Sequence, residues 1–104
     1  LTNFTESGIR RIDKTYNFAK DTDIAKIKDI LMGVAKNNPL VLTTPEPIIG
    51  VSSIDAYAIS IDLKLWCNHD DYYVLAYKIE EAATEALRAA EIELAYRNID
   101  IKLQ

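Results

Sequence analysis

The chain is poor in the residues that mark specialised protein classes, with one cysteine, one histidine, three glycines and three prolines among 104 residues. A single cysteine excludes an intrachain disulfide and is compatible with a reducing, intracellular setting. So little glycine and proline excludes collagen-like and low-complexity sequence. No stretch approaches the roughly 18–20 apolar residues that a membrane-spanning helix needs. These absences leave a globular domain as the expected class.

The length and net charge of the chain indicate one domain that is not a general nucleic-acid-binding protein. A chain of 104 residues corresponds to one domain, and folding at this length can bury more than half of the surface of the unfolded chain. The net charge of −4 argues against a general nucleic-acid-binding protein, which usually carries a basic stripe. The sequence opens on Leu1 and shows no signal-peptide pattern there. We therefore expect a fragment of a longer polypeptide.

The hydrophobic period switches along the chain between that of a strand and that of a helix. The clearest strand covers residues 57–68, where apolar and more polar residues alternate. The clearest helix covers residues 23–36, with Asp21 or Thr22 as its N-cap and Pro39 beyond its end. The other predicted elements are strands over 11–19 and 48–51, a turn over 52–56, a helix from about 70 to 90, and extended segments over 91–96 and 99–103.

Charged residues interrupt or flank the apolar patterns of the first strand and the second helix. Lys14 interrupts the apolar face of the first strand, and adjacent Glu80 and Glu81 point in different directions on the second helix, which favours a solvated helix face. The second helix also carries a wide apolar stripe. Its members are Val74, Leu75, Ile79, Ala82, Ala83, Ala86, Leu87 and Ala90.

The order strand, helix, strand, strand, helix, strand predicts an α+β fold of the ferredoxin-like, split βαβ type. Both helices are expected on one face of a mixed sheet, because βαβ crossovers are right-handed. The alternating C-terminal segment either closes this sheet or offers its edge to other chains. This fold hosts many functions, so it does not by itself define an activity.

The strongest candidate for chemistry is the run WCNHDD at residues 66–71. Cys67, His69 and two carboxylates are metal-ligand types, but a zinc site usually uses more cysteine and histidine. A Cys67–His69 nucleophile pair lacks further partners. The simpler interpretation is a strand end and a helix start, with Asp70 as the cap and Asp71 in the first turn. We expect no catalytic, cofactor-binding or metal site, and no enzyme.

Four residues are candidates for an oligomer interface. Trp66 falls on the polar face of its strand, where it either packs within the domain or anchors a neighbouring subunit, since tryptophan is enriched in interface hot spots. Ile99, Ile101 and Leu103 alternate with polar residues at the end of the chain, as an interface strand would.

Several segments, in chain order, resemble the carboxy-terminal cytoplasmic domain of the MscS-type small-conductance mechanosensitive channels. They are LTNFT at residues 1–5, Arg10-Arg11, FAKDTD at 18–23, NPLVLTTPEP at 38–47, LKLWC at 63–67 and AAEIE at 89–93. Glu91 departs from the family pattern, which has glycine after the second helix, and glycine is the residue that a left-handed C-cap at this position favours. Residues 94–97 lack the two prolines that are usual in the family.

The resemblance implies a role for the chain. It implies a linker over residues 1–10, a cytoplasmic α/β domain over 11–97 and a C-terminal strand over 98–104 that joins a barrel between subunits. The parent protein would be a homo-heptamer at the cytoplasmic face of the bacterial inner membrane, held there by a transmembrane region that precedes this fragment. It would open under membrane tension and release small solutes in hypo-osmotic shock, while this domain forms part of a cage that assembles subunits and filters solutes. The alternative is a soluble ferredoxin-like regulatory or ligand-binding module.

Overall fold

Three strands and two α-helices make up residues 8–95, the part of the chain that the computed structural model describes. The elements are β1 (Ile9–Ala19), α1 (Ile24–Lys36), β2 (Ile48–Ile54), β3 (Ala58–Asn68) and α2 (Tyr72–Ala89), with a 3₁₀ turn (His69–Asp71) between β3 and α2. The predicted order of elements is confirmed through α2.

The sheet has the strand order β1-β3-β2, and β3 pairs antiparallel with both neighbours. The predicted ferredoxin-like α+β fold is confirmed, with both helices packed on the buried face of the sheet. The predicted mixed sheet is wrong for the described strands, because both hydrogen-bonded strand pairs are antiparallel. Strands β1 and β2 run in the same direction, but they do not pair with each other because β3 lies between them. After α2 the predicted extended segment is reduced to one antiparallel bridge between Phe18 and Leu94, with the Ala95 N–H donating to the Asn17 carbonyl over 2.8 Å.

The core lies between one face of the sheet and the two helices. Alternate residues of β3 are almost fully buried: Ile59, Ile61, Leu63, Leu65 and Cys67. Ile27 and Leu31 of α1 and Leu75 and Ile79 of α2 pack against this face. Burying one such side chain contributes roughly 1.5–3 kcal/mol. Trp66 lies on the opposite face of β3, which no helix among residues 8–95 covers.

The two helices begin differently from the prediction. Asp23, rather than Asp21 or Thr22, caps α1, and its carboxylate accepts a hydrogen bond from the Lys26 N–H over 3.3 Å. Asp71, rather than Asp70, occupies the N-cap of α2 and makes no side-chain cap bond. The reason is that the 3₁₀ turn already holds Asp71 in a helical conformation, so the chain enters α2 without the extended cap that a side-chain bond needs.

Helix α2 ends in a left-handed C-cap at Glu91, where the family has glycine. This residue has φ 60°, which is the left-handed conformation of a C-cap motif. Its N–H donates to the Arg88 carbonyl over 2.9 Å, and the Ile92 N–H donates to the Leu87 carbonyl over 2.9 Å. Both bonds satisfy carbonyls at the end of the helix, and Ile92 packs against the core. The motif therefore forms without the glycine that usually provides it.

The hairpin between β2 and β3 is longer than predicted. Strand β2 continues to Ile54, through the segment predicted as a turn, and a β-bulge lies between Val51 and Ser53. The Asp55 carboxylate makes the turn by accepting hydrogen bonds from the Tyr57 and Ala58 N–H groups over 2.7 and 2.8 Å. Tyr57, predicted as the first strand residue, therefore lies exposed in the turn.

Candidate functional site

A polar contact joins the first strand to the second helix inside the layer between sheet and helices. The Tyr16 hydroxyl donates to the Glu80 carboxylate over 3.4 Å, and Lys14 Nζ lies 3.3 Å from the same oxygen. The sequence placed Lys14 on an apolar face and Glu80 on a solvated face. The structure brings the two together, so the contact fixes the position of α2 over β1.

The environment of Tyr16 keeps its phenol neutral. Burial, followed by the charge of the Glu80 carboxylate and its hydrogen bond, raises the pKa of Tyr16 well above the ordinary value. A neutral phenol remains a hydrogen-bond donor to Glu80. This arrangement supports packing rather than proton transfer, because only 5% of Tyr16 is exposed to solvent.

The structure does not assemble the candidate chemical cluster of residues 66–71. Cys67 is fully buried in the core, whereas His69 and Asp70 are exposed in the 3₁₀ turn. Burial raises the pKa of the Cys67 thiol, the Asp71 carboxylate raises it further, and Arg10 acts in the opposite direction. Within residues 8–95 no group of three or more His, Cys, Asp or Glu side chains is arranged to hold a metal ion.

Trp66 lies half-exposed on the open face of the sheet, directly across from Arg11 of β1. Its carbonyl accepts a hydrogen bond from the Leu42 N–H over 2.8 Å, so the linker before β2 runs beside this end of β3. The other three interface candidates, Ile99, Ile101 and Leu103, lie outside the described residues. The role of Trp66 as an anchor for a neighbouring subunit stays a prediction.

The middle of the open face is a polar ladder between β1 and β3. The Thr15 hydroxyl donates to the Asp62 carboxylate over 2.9 Å, and the Ser60 hydroxyl donates to the Asn17 side-chain oxygen over 2.6 Å. Cross-strand pairs of this kind stabilise a sheet and leave its surface hydrophilic. This part of the face is therefore suited to contact with water.

Two groups of exposed apolar side chains lie elsewhere on the described part of the chain, apart from the single exposed residues Ile48 and Leu94. The first, which we call the hairpin patch, consists of Val51, Ile54 and Tyr57, exposed by 39%, 65% and 76%. The second, the helix patch, consists of Tyr73, Val74 and Tyr77 on α2, exposed by 68%, 53% and 73%. Val74 was predicted on the buried stripe and is instead exposed, because the helix turns Leu75 and not Val74 towards the sheet.

Beside the helix patch, the Arg10 guanidinium stacks over the Tyr72 ring at 3.5 Å, and the Tyr72 and Tyr73 rings meet edge to face at 5.0 Å. A cation–π contact of this kind links the start of β1 to the start of α2. These tyrosines were not among the residues predicted to be functional. The available signal was the i, i+4 spacing of Tyr73 and Tyr77 outside the apolar stripe.

None of the helices formed by residues 8–95 is both long enough and apolar enough to span a membrane. The family model described as "Mechanosensitive ion channel MscS, C-terminal" matches residues 12–94. The chain belongs to the MscS family. The match covers β2, β3 and both α-helices in full and all of β1 except its first residues. It continues past the end of α2 to Leu94, which forms the bridge with Phe18.

Relatives with the MscS name cover almost the whole chain. It is 26% identical over 104 residues to an uncharacterised MscS family protein of Buchnera aphidicola, which covers 100% of this chain and 37% of that protein. It is also 26% identical over 103 residues to a small-conductance mechanosensitive channel of Edwardsiella ictaluri, covering 99% of this chain and 36% of the channel. The MscS domain described here thus spans little more than a third of the length of these relatives.

A solved structure agrees in fold. The closed-state crystal structure of Helicobacter pylori MscS superposes on this chain with a TM-score of 0.82 at 18% sequence identity, covering 95% of this chain and 40% of that one. At this identity the likeness concerns the fold. It confirms that the α+β arrangement described above is the one found in an MscS channel.

Proposed function

We propose that this MscS domain is part of the cytoplasmic cage of a mechanosensitive channel, in which it holds subunits together and filters solutes. The parent channel opens under membrane tension and releases small solutes in hypo-osmotic shock. The observation that carries the proposal is the family match over residues 12–94, which covers the whole described core. Tension favours the channel state with the larger area in the membrane plane, so the pore is a two-state element and this domain is attached to it.

The bridge at the end of the described chain supports a role for the last residues in assembly. Paired residues of an antiparallel bridge share one face, so Leu94 lies on the helix-covered face with Phe18. If the ladder continued along β1, alternation would direct residues 99, 101 and 103 towards the polar open face. Their apolar side chains are better buried between copies of the chain, as in a barrel of seven identical strands.

Charge supports a filtering role. Each chain carries a net charge of −4, and repetition around a ring of copies concentrates this charge near the cage openings. We expect weak preference for cations, or none, from this domain. Replacing exposed Glu81 and Glu85 by glutamine in the parent channel should shift its reversal potential towards anions, and replacing exposed Lys26 and Lys28 by glutamine should shift it the opposite way. An unchanged reversal potential after the glutamate substitutions, or shifts in the same direction from both sets, would contradict filtering by charge.

Cell fractionation followed by patch-clamp recording tests the function. An antibody against this domain should detect a membrane-bound protein much larger than the 104-residue chain. Membrane patches from cells that lack other mechanosensitive channels should then show current under suction only when the parent protein is present. A free 104-residue band in the soluble fraction, or suction current that is independent of the parent protein, would reject the proposal.

A further inference from the structure

The linker between α1 and β2 encloses a pocket of about 350 Å³, which we call the linker pocket. Ala35, Val41 and Pro47 are buried and form its apolar floor, whereas Lys36 and Glu46 are exposed at its rim. Small-molecule sites usually have volumes of about 300–1,000 Å³ and combine an apolar lining with a few polar groups. The linker pocket has both properties, and neither assembly nor solute filtering uses it.

The wall of the linker pocket is ordered without a ligand. All three prolines of the chain lie in this linker, where each ring fixes one backbone angle. The Asn38 side chain accepts a hydrogen bond from the Leu40 N–H over 2.9 Å, and the Leu42 N–H donates to the Trp66 carbonyl over 2.8 Å. A wall that is already ordered lowers the entropic cost of binding a ligand.

Two opposite charges stand at the rim of the pocket without neutralising each other. Lys36 and Glu46 both line it, yet no salt bridge within residues 8–95 joins them. A ligand with a single charge is attracted by one of these side chains and repelled by the other. A ligand that carries both a carboxylate and an ammonium group contacts the two side chains favourably at once.

From this arrangement we infer that the linker pocket binds a small zwitterion with an aliphatic body, of the class of the aliphatic α-amino acids. The carboxylate of the ligand faces Lys36, its ammonium group faces Glu46, and its aliphatic part lies against Val41 and Pro47. The end of α1 carries about half an elementary negative charge, which is less than the full positive charge of Lys36. The carboxylate is therefore still favoured on the Lys36 side.

Titration followed by NMR spectroscopy tests the site in the isotope-labelled 104-residue chain at neutral pH and low salt. The probe is L-valine, and the amide signals of Lys36, Val41, Thr43 and Glu46 should shift together and reach saturation. Three analogues each lack one part of the probe: isovalerate has no ammonium group, valinamide has no carboxylate, and glycine has no aliphatic body. Each analogue should bind more weakly than valine.

Substitutions at the rim test the roles of the two charges. Lys36→Gln and Glu46→Gln should each weaken valine binding about two- to fivefold, the range for one exposed ion pair. The double variant Lys36→Glu with Glu46→Lys keeps both kinds of charge at the rim and should recover part of the affinity. The matched controls Lys28→Gln and Glu81→Gln neutralise exposed charges outside the pocket and should leave binding unchanged.

Saturating shifts confined to the linker pocket, with valine bound more tightly than its three analogues, support the inference. Shifts that spread over the surface and stay linear with concentration would overturn it, because they indicate a general solvent effect. Equal affinity for valine and isovalerate would overturn it by showing an anion contact alone. Unchanged affinity in both rim variants would also overturn it. Each of these failures leaves the proposed channel function standing, because suction-activated current in the parent protein is measured independently of this site.

Discussion

Glu80 of α2 and Tyr16 of β1 meet through a hydrogen bond of 3.4 Å between the phenol and carboxylate oxygens, although 64 residues separate them in the chain. Lys14, two residues before Tyr16, reaches the same carboxylate over 3.3 Å. The three side chains give the sheet and α2 a specific mutual position that apolar packing alone leaves less defined. Because the side chain of Glu80 is half-exposed, the ion pair itself contributes less than about 1 kcal/mol.

The raised pKa of Tyr16 predicts a loss of stability in alkaline solution. Below pH 10, the ordinary value of the phenol, Tyr16 is neutral in the folded and unfolded states and its contribution is fully present. Above pH 10 the Tyr16 phenol releases its proton in the unfolded state but keeps it in the folded state. The contribution of Tyr16 to the free energy of unfolding therefore falls by about 1.4 kcal/mol per pH unit. Tyr16→Phe should remove that part of the slope.

Urea unfolding at several pH values above 10 measures the slope. Tyr57→Phe is the matched control, because it removes a phenol hydroxyl at an exposed position of the turn. The prediction is contradicted if both substitutions change the slope equally. At neutral pH, Tyr16→Phe should cost no more than about 1 kcal/mol, the usual net contribution of one hydrogen bond.

The left-handed conformation of Glu91 predicts a stabilising substitution. A side chain at φ 60° costs roughly 1–2 kcal/mol relative to glycine, which loses part of this advantage through its more flexible unfolded state. Glu91→Gly should therefore raise the free energy of unfolding by about 1 kcal/mol and Tm by roughly 4–8 °C in a domain of this size. Thermal unfolding followed by circular dichroism measures the change.

Glu91→Ala separates backbone strain from charge at this position. A carboxylate near a helix C-terminus is unfavourable by about 0.3–1 kcal/mol, and both substitutions remove it. Only glycine also relieves the strain of the left-handed backbone. An alanine variant as stable as the glycine variant would assign the whole effect to charge and would refute the strain argument.

Local patterns predicted the parts of the fold that depend on one element. Strict alternation identified β3, and helical spacing identified α1 to within one residue at its start. Each signal arises because one face of the element is buried, so apolar residues recur with the period of a strand or of a helix. The ferredoxin-like fold then followed from the order of the elements.

Contacts between elements were not predictable in the same way. The partner of Lys14 is distant in sequence, so no local pattern connects it with Glu80. The turn after β2 forms where the Asp55 carboxylate accepts hydrogen bonds from two backbone N–H groups. Strand β2 therefore ends at Ile54, three residues after the end that the sequence predicted. Glu91 adopts a glycine-like conformation because Ile92 is drawn into the core. In each case a tertiary contact outweighs local preference.

Burial of Cys67 predicts an unreactive thiol. The side chain is fully buried, and its raised pKa lowers the fraction of thiolate, the form that reacts. Labelling with a disulfide reagent at pH 8 should therefore be slow in the folded chain and should reach its full rate only in denaturant. Asn68→Cys in a Cys67→Ala background places an exposed thiol one residue away as the control. Equal labelling rates for the two folded proteins would contradict the burial of Cys67.

Trp66 and Leu65 are neighbours on opposite faces of β3, and this separates a folding role from an assembly role. Leu65→Ala creates a cavity in the core and should cost about 2–5 kcal/mol. Trp66→Ala removes a half-exposed side chain and should cost less in the isolated chain. If Trp66 anchors a neighbouring subunit, the same substitution should reduce the oligomeric fraction of the parent protein on a native gel. A variant with full assembly would remove Trp66 from the interface.

Truncation distinguishes the two possible places for the C-terminal residues. The buried core ends at Leu87, Ile92 packs against it, and Leu94 makes one bridge to Phe18, so removing residues 98–104 should change the Tm of the isolated chain little. If Ile99, Ile101 and Leu103 pair between subunits, the same truncation should lower the oligomeric fraction of the parent protein. Replacing these three residues by threonine keeps the length and strand preference while removing most of the apolar surface, and it should give the same loss of assembly. A large fall in Tm with assembly retained would instead place the segment in the domain's own sheet.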